Sequence, residues 1–232
     1  MSDDPNWIPA PAPQPRAPLE PDSLSAFDGL LRGRRSVRRF RSDPVADEII
    51  NRVLEAGLWA PSPHGTQPWR FAVLSSLETR SRLADAMAAS WQHNLAMDGE
   101  PEDVIQARLG GSRRRLLEAP TLILVSLYTQ DLDRYPDPER ATAERTMAVQ
   151  SLGACVQNML LAAYANGIDA GWMCAPLFCP EVVVDALGLD TELVPHALIA
   201  LGHAAADPKR RPRRSRDTII VFDDRRQSPE GH

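Results

Sequence analysis

Six arginines stand in the ten residues Arg32–Arg41, RGRRSVRRFR, of a 232-residue chain whose formal net charge is −5. Guanidinium groups are planar forks that match phosphate oxygens two at a time, and a hydroxyl among them adds a further hydrogen-bonding group. Arg34, Arg35, Ser36 and Arg38 therefore make a candidate cradle for a phosphate monoester and its neighbouring hydroxyls, with a solvated charged face as the other reading. Residues 113–115 and 209–216 are also cationic, and the three stretches hold more than half of the 26 basic residues. Positive charge localised within an acidic chain points to a small anionic ligand. A nucleic-acid surface would carry a basic overall balance and aromatic platforms beside its cations, and neither is present.

Two further stretches have the character of ligand loops. APSPHGTQPW, Ala60–Trp69, has three prolines and a glycine in ten residues, so it is stiff and irregular, and its free amides could line a flat ligand or simply make a crossover. GWMCAPLF, Gly171–Phe178, reads as a second irregular loop. Phosphate-loop, dinucleotide-binding, zinc-hydrolase and serine-hydrolase signatures are missing, so an enzyme built from this chain would draw its chemistry from a cofactor. Cys155, Cys174 and Cys179 show no metal-type repeat, which predicts reduced thiols and no metal site. The C-x4-C spacing of Cys174 and Cys179 also admits a redox pair.

The elements that must position these groups are read from periodicity. Residues 1–22 carry seven of the 21 prolines and read as an extended arm, with one folded domain over 23–232. A short helix ending at Gly33 delivers the arginine cluster. An amphipathic helix follows over DPVADEIINRVLEAGLWAPSP, with Ile49, Ile50, Val53, Leu54, Gly57 and Leu58 on one face. WRFAVLSS, APTLILVSLY, HALIALGHA and TIIVFD read as strands, the second apolar throughout as a central strand should be. LETRSRLADAMAASWQHNLA is helical, and MDGEPEDVIQARLGGS is either helical or a flexible insertion. The longest helix spans 143–166 with Gly167 as its C′ residue; being apolar almost all round, it is expected within the fold or between subunits, with Gly153 and Ala154 admitting another helix. CPEVVVDALGL is a short helix. The order favours α+β over a doubly wound sheet. No apolar run approaches the roughly 20 residues that span a bilayer, and the acidic MSDDPN start is no secretory signal, so no membrane partner and a cytoplasmic location are expected.

Taken together and in this order, RRSVRRF, APSPHGTQPW, APTLILV, the pattern G-x-x-x-Q-N-M-L-L-A-A-x-x-x-G at 153–167 and the basic element after Asp207 resemble the nitroreductase family of FMN enzymes, over roughly 24–222. The resemblance implies a nitroreductase-like α+β fold, with a mainly antiparallel sheet flanked by helices, in an intertwined homodimer with FMN at the subunit interface. It implies that Arg34, Arg35, Ser36 and Arg38 hold the phosphate, ribityl chain and pyrimidine edge, with Lys209 and Arg211 closing on the phosphate. Pro61, Ser62, Pro63 and His64 would line the isoalloxazine from the other subunit, and Met173, Cys174 and Ala175 would offer loop amides to its N5 and O4 edge. Arg115 would place a cation near the flavin. Hydride would pass through the flavin N5 between NAD(P)H, or another reduced donor, and a small-molecule acceptor, with His64 a candidate proton source. PHGTQPWRF, YPDPERATAERTM, VQNMLLAAYANGIDAGWM and LGHA further resemble one branch, the C-terminal FMN domain of the bifunctional ligase of coenzyme F420 biosynthesis. That domain reduces the dehydro precursor of F420, and this chain resembles a free-standing version. A general NAD(P)H-dependent nitro or quinone reductase, and a flavin- or deazaflavin-binding protein without turnover, are the alternatives.

Overall fold

The computed structural model describes residues 18–206, 208 and 211–226. It divides into two units at the Arg34–Arg35 bond. In the first, α1 (Pro21–Gly33) opens with proline in its first turn and ends with the Arg34 amide donating to the Leu30 carbonyl (3.2 Å). None of its residues is buried. Most of the expected N-terminal arm lies outside the described residues.

The second unit is built on four antiparallel strands, β1 (Trp69–Leu74), β2 (Thr121–Tyr128), β3 (Asp169–Met173) and β4 (Leu193–Gly202), in the order β1-β2-β4-β3. As its apolar run predicts, β2 is interior: Ile123, Val125 and Leu127 feed one core and Leu122 and Leu124 the other, and burying each such side chain stabilises by about 1.5–3 kcal/mol. The first core lies under α2 (Asp47–Leu58) and α5 (Pro138–Ala165), and the second under α3 (Leu77–Met97), α4 (Glu102–Glu118) and α6 (Pro180–Leu187). Helix starts follow capping chemistry, since Ser76 and Asp137 accept hydrogen bonds from the amides of Thr79 (3.1 Å) and Arg140 (2.9 Å). Gly57 of α2 lets that helix close on α5, where a Cβ would stand 3.0 Å from Cys155 Sγ and Met159 Cγ.

Within this chain α5 is one-sided. Glu144, Ala148, Leu152, Cys155, Val156, Met159 and Ala163 are buried at helical spacing, whereas Val149 is exposed and Gly153 faces open space. It starts five residues earlier than expected, and Gly167 takes the left-handed φ of 74° as predicted.

Three readings of the sequence are corrected, and one that was left open is decided. Residues 169–173, expected as loop, form β3: the stretch has little strand propensity, and pairing with β4 makes it a strand. The stretch at 97–112, read as helical or as a flexible insertion, is helical from Glu102 and continues as α4, which buries only Ile105, Leu109 and Leu116 and so carries a faint apolar signal. TIIVFD forms no strand; it begins in a 3-10 turn at Arg216–Thr218, Val221 is 98% exposed, and its β-branched apolar run finds no ladder partner among the described residues. Leu58, expected on the apolar face of α2, is exposed at the helix end. Among the described residues no helix is long and apolar enough to cross a membrane.

Candidate active site

Arg35, Ser36 and Arg38 lie on a ribbon stitched to two strands. Ser36 bridges Ala170 of β3 in parallel, with the Val37 amide donating to the Ala170 carbonyl (2.9 Å). Phe40 bridges Ala204, the Arg41 amide donates to the His203 carbonyl (2.8 Å), and the Ala205 amide donates to the Arg39 carbonyl (3.0 Å). Val37 and Phe40 are buried in the second core, which turns Ser36 and Arg38 outward. Two glycines permit the approach. A Cβ on Gly171 would stand 2.1 Å from the Val37 carbonyl oxygen, and one on Gly202 would stand 2.7 Å from Pro120 Cδ and 3.1 Å from Phe40 Cδ1.

Arg115, in the last turn of α4, belongs to the same neighbourhood. Burial pushes its guanidinium pKa down, and the positive charges of Arg38 and Arg114 push it further. Arg39 and Arg41 are answered by Glu118 (3.9 Å) and Asp43 (2.7 Å), but Arg38 and Arg115 have no carboxylate partner among the described residues. A half-buried guanidinium such as that of Arg115, set beside like charges, is unfavourable alone and becomes favourable when a multivalent anion joins it. Arg80 fixes the end of α4: it is buried and donates to the carbonyls of Leu117 (2.9 Å) and Ala119, the negative end of that helix. Burial alone lowers its pKa.

From the bridge at Ala170, β3 runs on to Met173, which pairs with Leu198. Cys174 and Ala175 are exposed as the chain enters a 3-10 turn at Ala175–Phe178. Burial raises the Cys179 thiol pKa and pushes that of Cys155 up to about 12, which argues against a thiolate at either.

Pro61, Ser62, Pro63 and His64 lie in the loop between α2 and β1, and its flanks Ala60 and Trp69 are buried in the first core, on the sheet face away from Val37, Phe40 and Leu116. The loop is strained: His64 (φ 54°) and Gln67 (φ 46°) are the non-glycine residues with positive φ among those described, and Gly65 (φ 69°) joins them. Each such non-glycine residue costs on the order of 1 kcal/mol, and backbone of this kind gathers at ligand sites. The Ser62 hydroxyl accepts from the Gln67 amide (3.0 Å), the Gln67 carbonyl accepts from Arg70 (3.2 Å), and Arg70 reaches Asp131 (2.7 Å) and stacks over Tyr128 (4.7 Å).

Among the predicted residues, the fold brings Ser36 onto β3, the strand that leads to Met173, Cys174 and Ala175, and sets Arg38 within electrostatic reach of Arg115. Arg35 precedes Ser36 on the ribbon, and Arg34 closes the first unit. Arg211 is exposed in an irregular stretch and makes no hydrogen bond or ion pair among the described residues. Lys209 lies outside them. Sequence reasoning missed Gln67, Arg70 and Asp131; the one available signal was a charged residue directly after a proline-bounded loop.

Residues 31–203 match the nitroreductase family. The chain belongs to that family. It is 31% identical over 196 residues to nitroreductase NfnB of Mycolicibacterium smegmatis, covering 76% of this chain and 83% of the relative. Among solved structures, a BluB-like flavoprotein of Clostridium difficile is 25% identical with a TM-score of 0.71, covering 85% of this chain and 98% of the other. A nitroreductase-like protein of Desulfovibrio desulfuricans, solved in complex with FMN, is 30% identical with a TM-score of 0.62, covering 88% and 98%. The antiparallel sheet flanked by helices is thus the nitroreductase fold, as expected. The family match stops at His203, before the basic segment that holds Lys209 and Arg211.

Proposed function

We propose that this nitroreductase-family chain binds FMN as a homodimer and reduces the dehydro precursor of coenzyme F420. The supporting observation is that Arg38, two residues past the Ser36–Ala170 bridge, lies within electrostatic reach of Arg115 of α4, two guanidinium groups from distant sequence, neither with a carboxylate partner among the described residues. A phosphate with adjoining hydroxyls is the anion that such forks and a serine hydroxyl fit, and the ribbon that carries them is seated where a Cβ at Gly171 would block it.

FMN, when bound, supplies hydride transfer at its N5. The chain's own groups do the rest. Arg34, Arg35, Ser36, Arg38, Lys209 and Arg211 hold the phosphate and ribityl side. Met173, Cys174 and Ala175 present backbone to the reactive edge. Arg115 places a positive charge where negative charge accumulates on reduction. The loop of Pro61, Ser62, Pro63 and His64 is anchored on the opposite sheet face, so a second copy would supply it, and the open faces of Gly153 and Val149 on α5 are where that copy would pack. His64, exposed at the loop tip, would hand a proton to the acceptor, or water would do so.

The precursor is a deazaflavin on a phosphodiester arm, and the exposed Arg114 beside Arg115 suits that charge. The finer reading is supported by the motifs shared with the F420 branch. The likeness to nitroreductase NfnB favours a second reading, a general NAD(P)H-dependent reductase of nitroaromatics or quinones. Steady-state reduction of the dehydro precursor, a nitroaromatic and a quinone by the FMN-loaded chain, with NADH, NADPH or another reduced donor, decides between them. The proposal predicts the largest kcat/KM for the precursor; a larger value for the nitroaromatic or quinone overturns it in favour of the second reading. Function in the cytoplasm is part of the proposal.

A further inference from the structure

The mechanism above leaves one polar assembly unused, the group around Arg70 at the edge of the sheet. Its Nη1 donates to the carbonyls of Gln67 (3.2 Å) and Trp69 (2.9 Å), and its Nη2 donates to Asp131 Oδ2 (2.7 Å). The guanidinium lies 4.7 Å from the centre of the Tyr128 ring. Asp131 stands on a 3-10 turn, Thr129–Asp131, that is itself tied down: the Thr129 amide and hydroxyl both donate to the Glu192 carbonyl (3.2 and 3.1 Å) at the start of β4.

Gln67 is the residue this assembly holds. Its φ of 46° is one an L side chain resists, its amide is bound by Ser62 Oγ, and its carbonyl is bound by Arg70. Pro61, His64, Gly65 and Gln67 are exposed, so hydrophobic packing does little to fix the loop. Hydrogen bonds at the two ends of one strained residue then decide which conformation it keeps.

We infer that Arg70, braced by Asp131 and Tyr128, is a positioning residue that holds the Ser62–Gln67 loop in the conformation that closes the flavin site. The inference rests on the reading of this loop as a flavin wall. A lysine cannot replace the arginine, because a single ammonium does not present the planar fork that spans Gln67, Trp69 and Asp131 together. Loosening the loop lowers the fraction of the protein competent to bind, and apparent affinity falls by that fraction.

The test uses the full chain with FMN as the probe, in wild type, Arg70→Ala, Arg70→Lys, Asp131→Asn, Gln67→Gly and the double variant Arg70→Ala/Gln67→Gly. FMN affinity is read by fluorescence titration, and loop opening by hydrogen exchange of peptides covering 60–68 in the FMN-free protein. Arg70→Ala and Arg70→Lys are expected to weaken FMN binding about tenfold, and Asp131→Asn about threefold, with faster exchange confined to the loop. Glycine adopts positive φ without the steric penalty that a side chain brings, so Gln67→Gly in the Arg70→Ala background is expected to recover most of the affinity, which a loss of general stability would not allow. Unchanged FMN affinity or loop exchange in Arg70→Ala overturns the inference, as does failure of Gln67→Gly to recover binding. Those results leave the proposed function standing; wild-type protein that binds no FMN overturns both.

Discussion

Replacing Gly171 by alanine tests the seating of the arginine ribbon directly. The added Cβ would stand 2.1 Å from the carbonyl oxygen of Val37 and 3.3 Å from its carbonyl carbon. Ordinary carbon–oxygen contacts lie at about 3.3 Å or more, so ribbon and strand must part by roughly an ångström. Both partners are backbone, and no side chain can turn away to make room. Parting them lengthens the bond from the Val37 amide to the Ala170 carbonyl, worth about 1 kcal/mol, and disturbs Val37 and Phe40, which are only 2% and 6% exposed. Overpacking of this kind adds about 1–3 kcal/mol, so the expected loss of stability is roughly 2–4 kcal/mol. FMN affinity should fall about a hundredfold, the equivalent of roughly 2.8 kcal/mol, because Ser36 and Arg38 move with the ribbon. Urea denaturation of the FMN-free chain gives the first quantity and fluorescence titration the second. Gly110→Ala in α4 is the control: its Cβ meets nothing within 4 Å, and alanine there should stabilise by about 0.5–1 kcal/mol. If Gly171→Ala melted and bound FMN like wild type, the stitched ribbon would not be what holds the site.

Arg115→Gln should weaken FMN binding about tenfold while leaving the FMN-free chain as stable or more so, since repulsion from Arg38 and Arg114 is relieved; parallel melts and titrations check both signs. Gly153→Leu places a bulky side chain on the open face of α5, and sedimentation should find monomers that no longer retain FMN, whereas an unchanged dimer would remove that face from the interface. His196, on β4 where the register with β2 shifts, has its pKa lowered from 6.5, by burial first and then by the charge of Arg145. The folded state therefore resists protonation there, so the stabilising contribution is complete above about pH 6.5 and is lost as pH falls from that value through the folded pKa. Wild-type stability should decline below about pH 6.5 more steeply than that of His196→Gln, measured by urea titration at stepped pH.

Much of the fold was legible because single elements carried strong signals. The apolar run of β2 announces burial on both faces, and Asn166 and Gly167 mark the end of α5. β3 was illegible for a physical reason. Gly171 is bare because the ribbon needs the space, and with Ala170 beside it the stretch lacks the β-branched signature by which strands are read. TIIVFD shows the reverse, a β-branched apolar run without a ladder partner among the described residues. In the candidate site, the residue types near Arg35, Ser36 and Arg38 suggested an anion from the sequence alone. Their meeting with Arg115, about 80 residues away in sequence, depends on the bridge at Ala170 and on Arg80 holding the end of α4, neither of which leaves a local pattern. Arg70 was invisible for the same reason, since its role comes from a turn at Thr129–Asp131.

Cations remote in sequence are proposed to gather on one FMN, Arg38 on its phosphate and ribityl side and Arg115 beside its ring. The most direct test is the visible absorption spectrum of the full chain after incubation with FMN and removal of free cofactor, for wild type and Arg38→Ala/Arg115→Ala side by side. The wild type is expected to emerge yellow with one FMN per chain, and the double variant to elute colourless yet folded. A wild type that emerges colourless, or a double variant as yellow as its parent, would contradict that gathering.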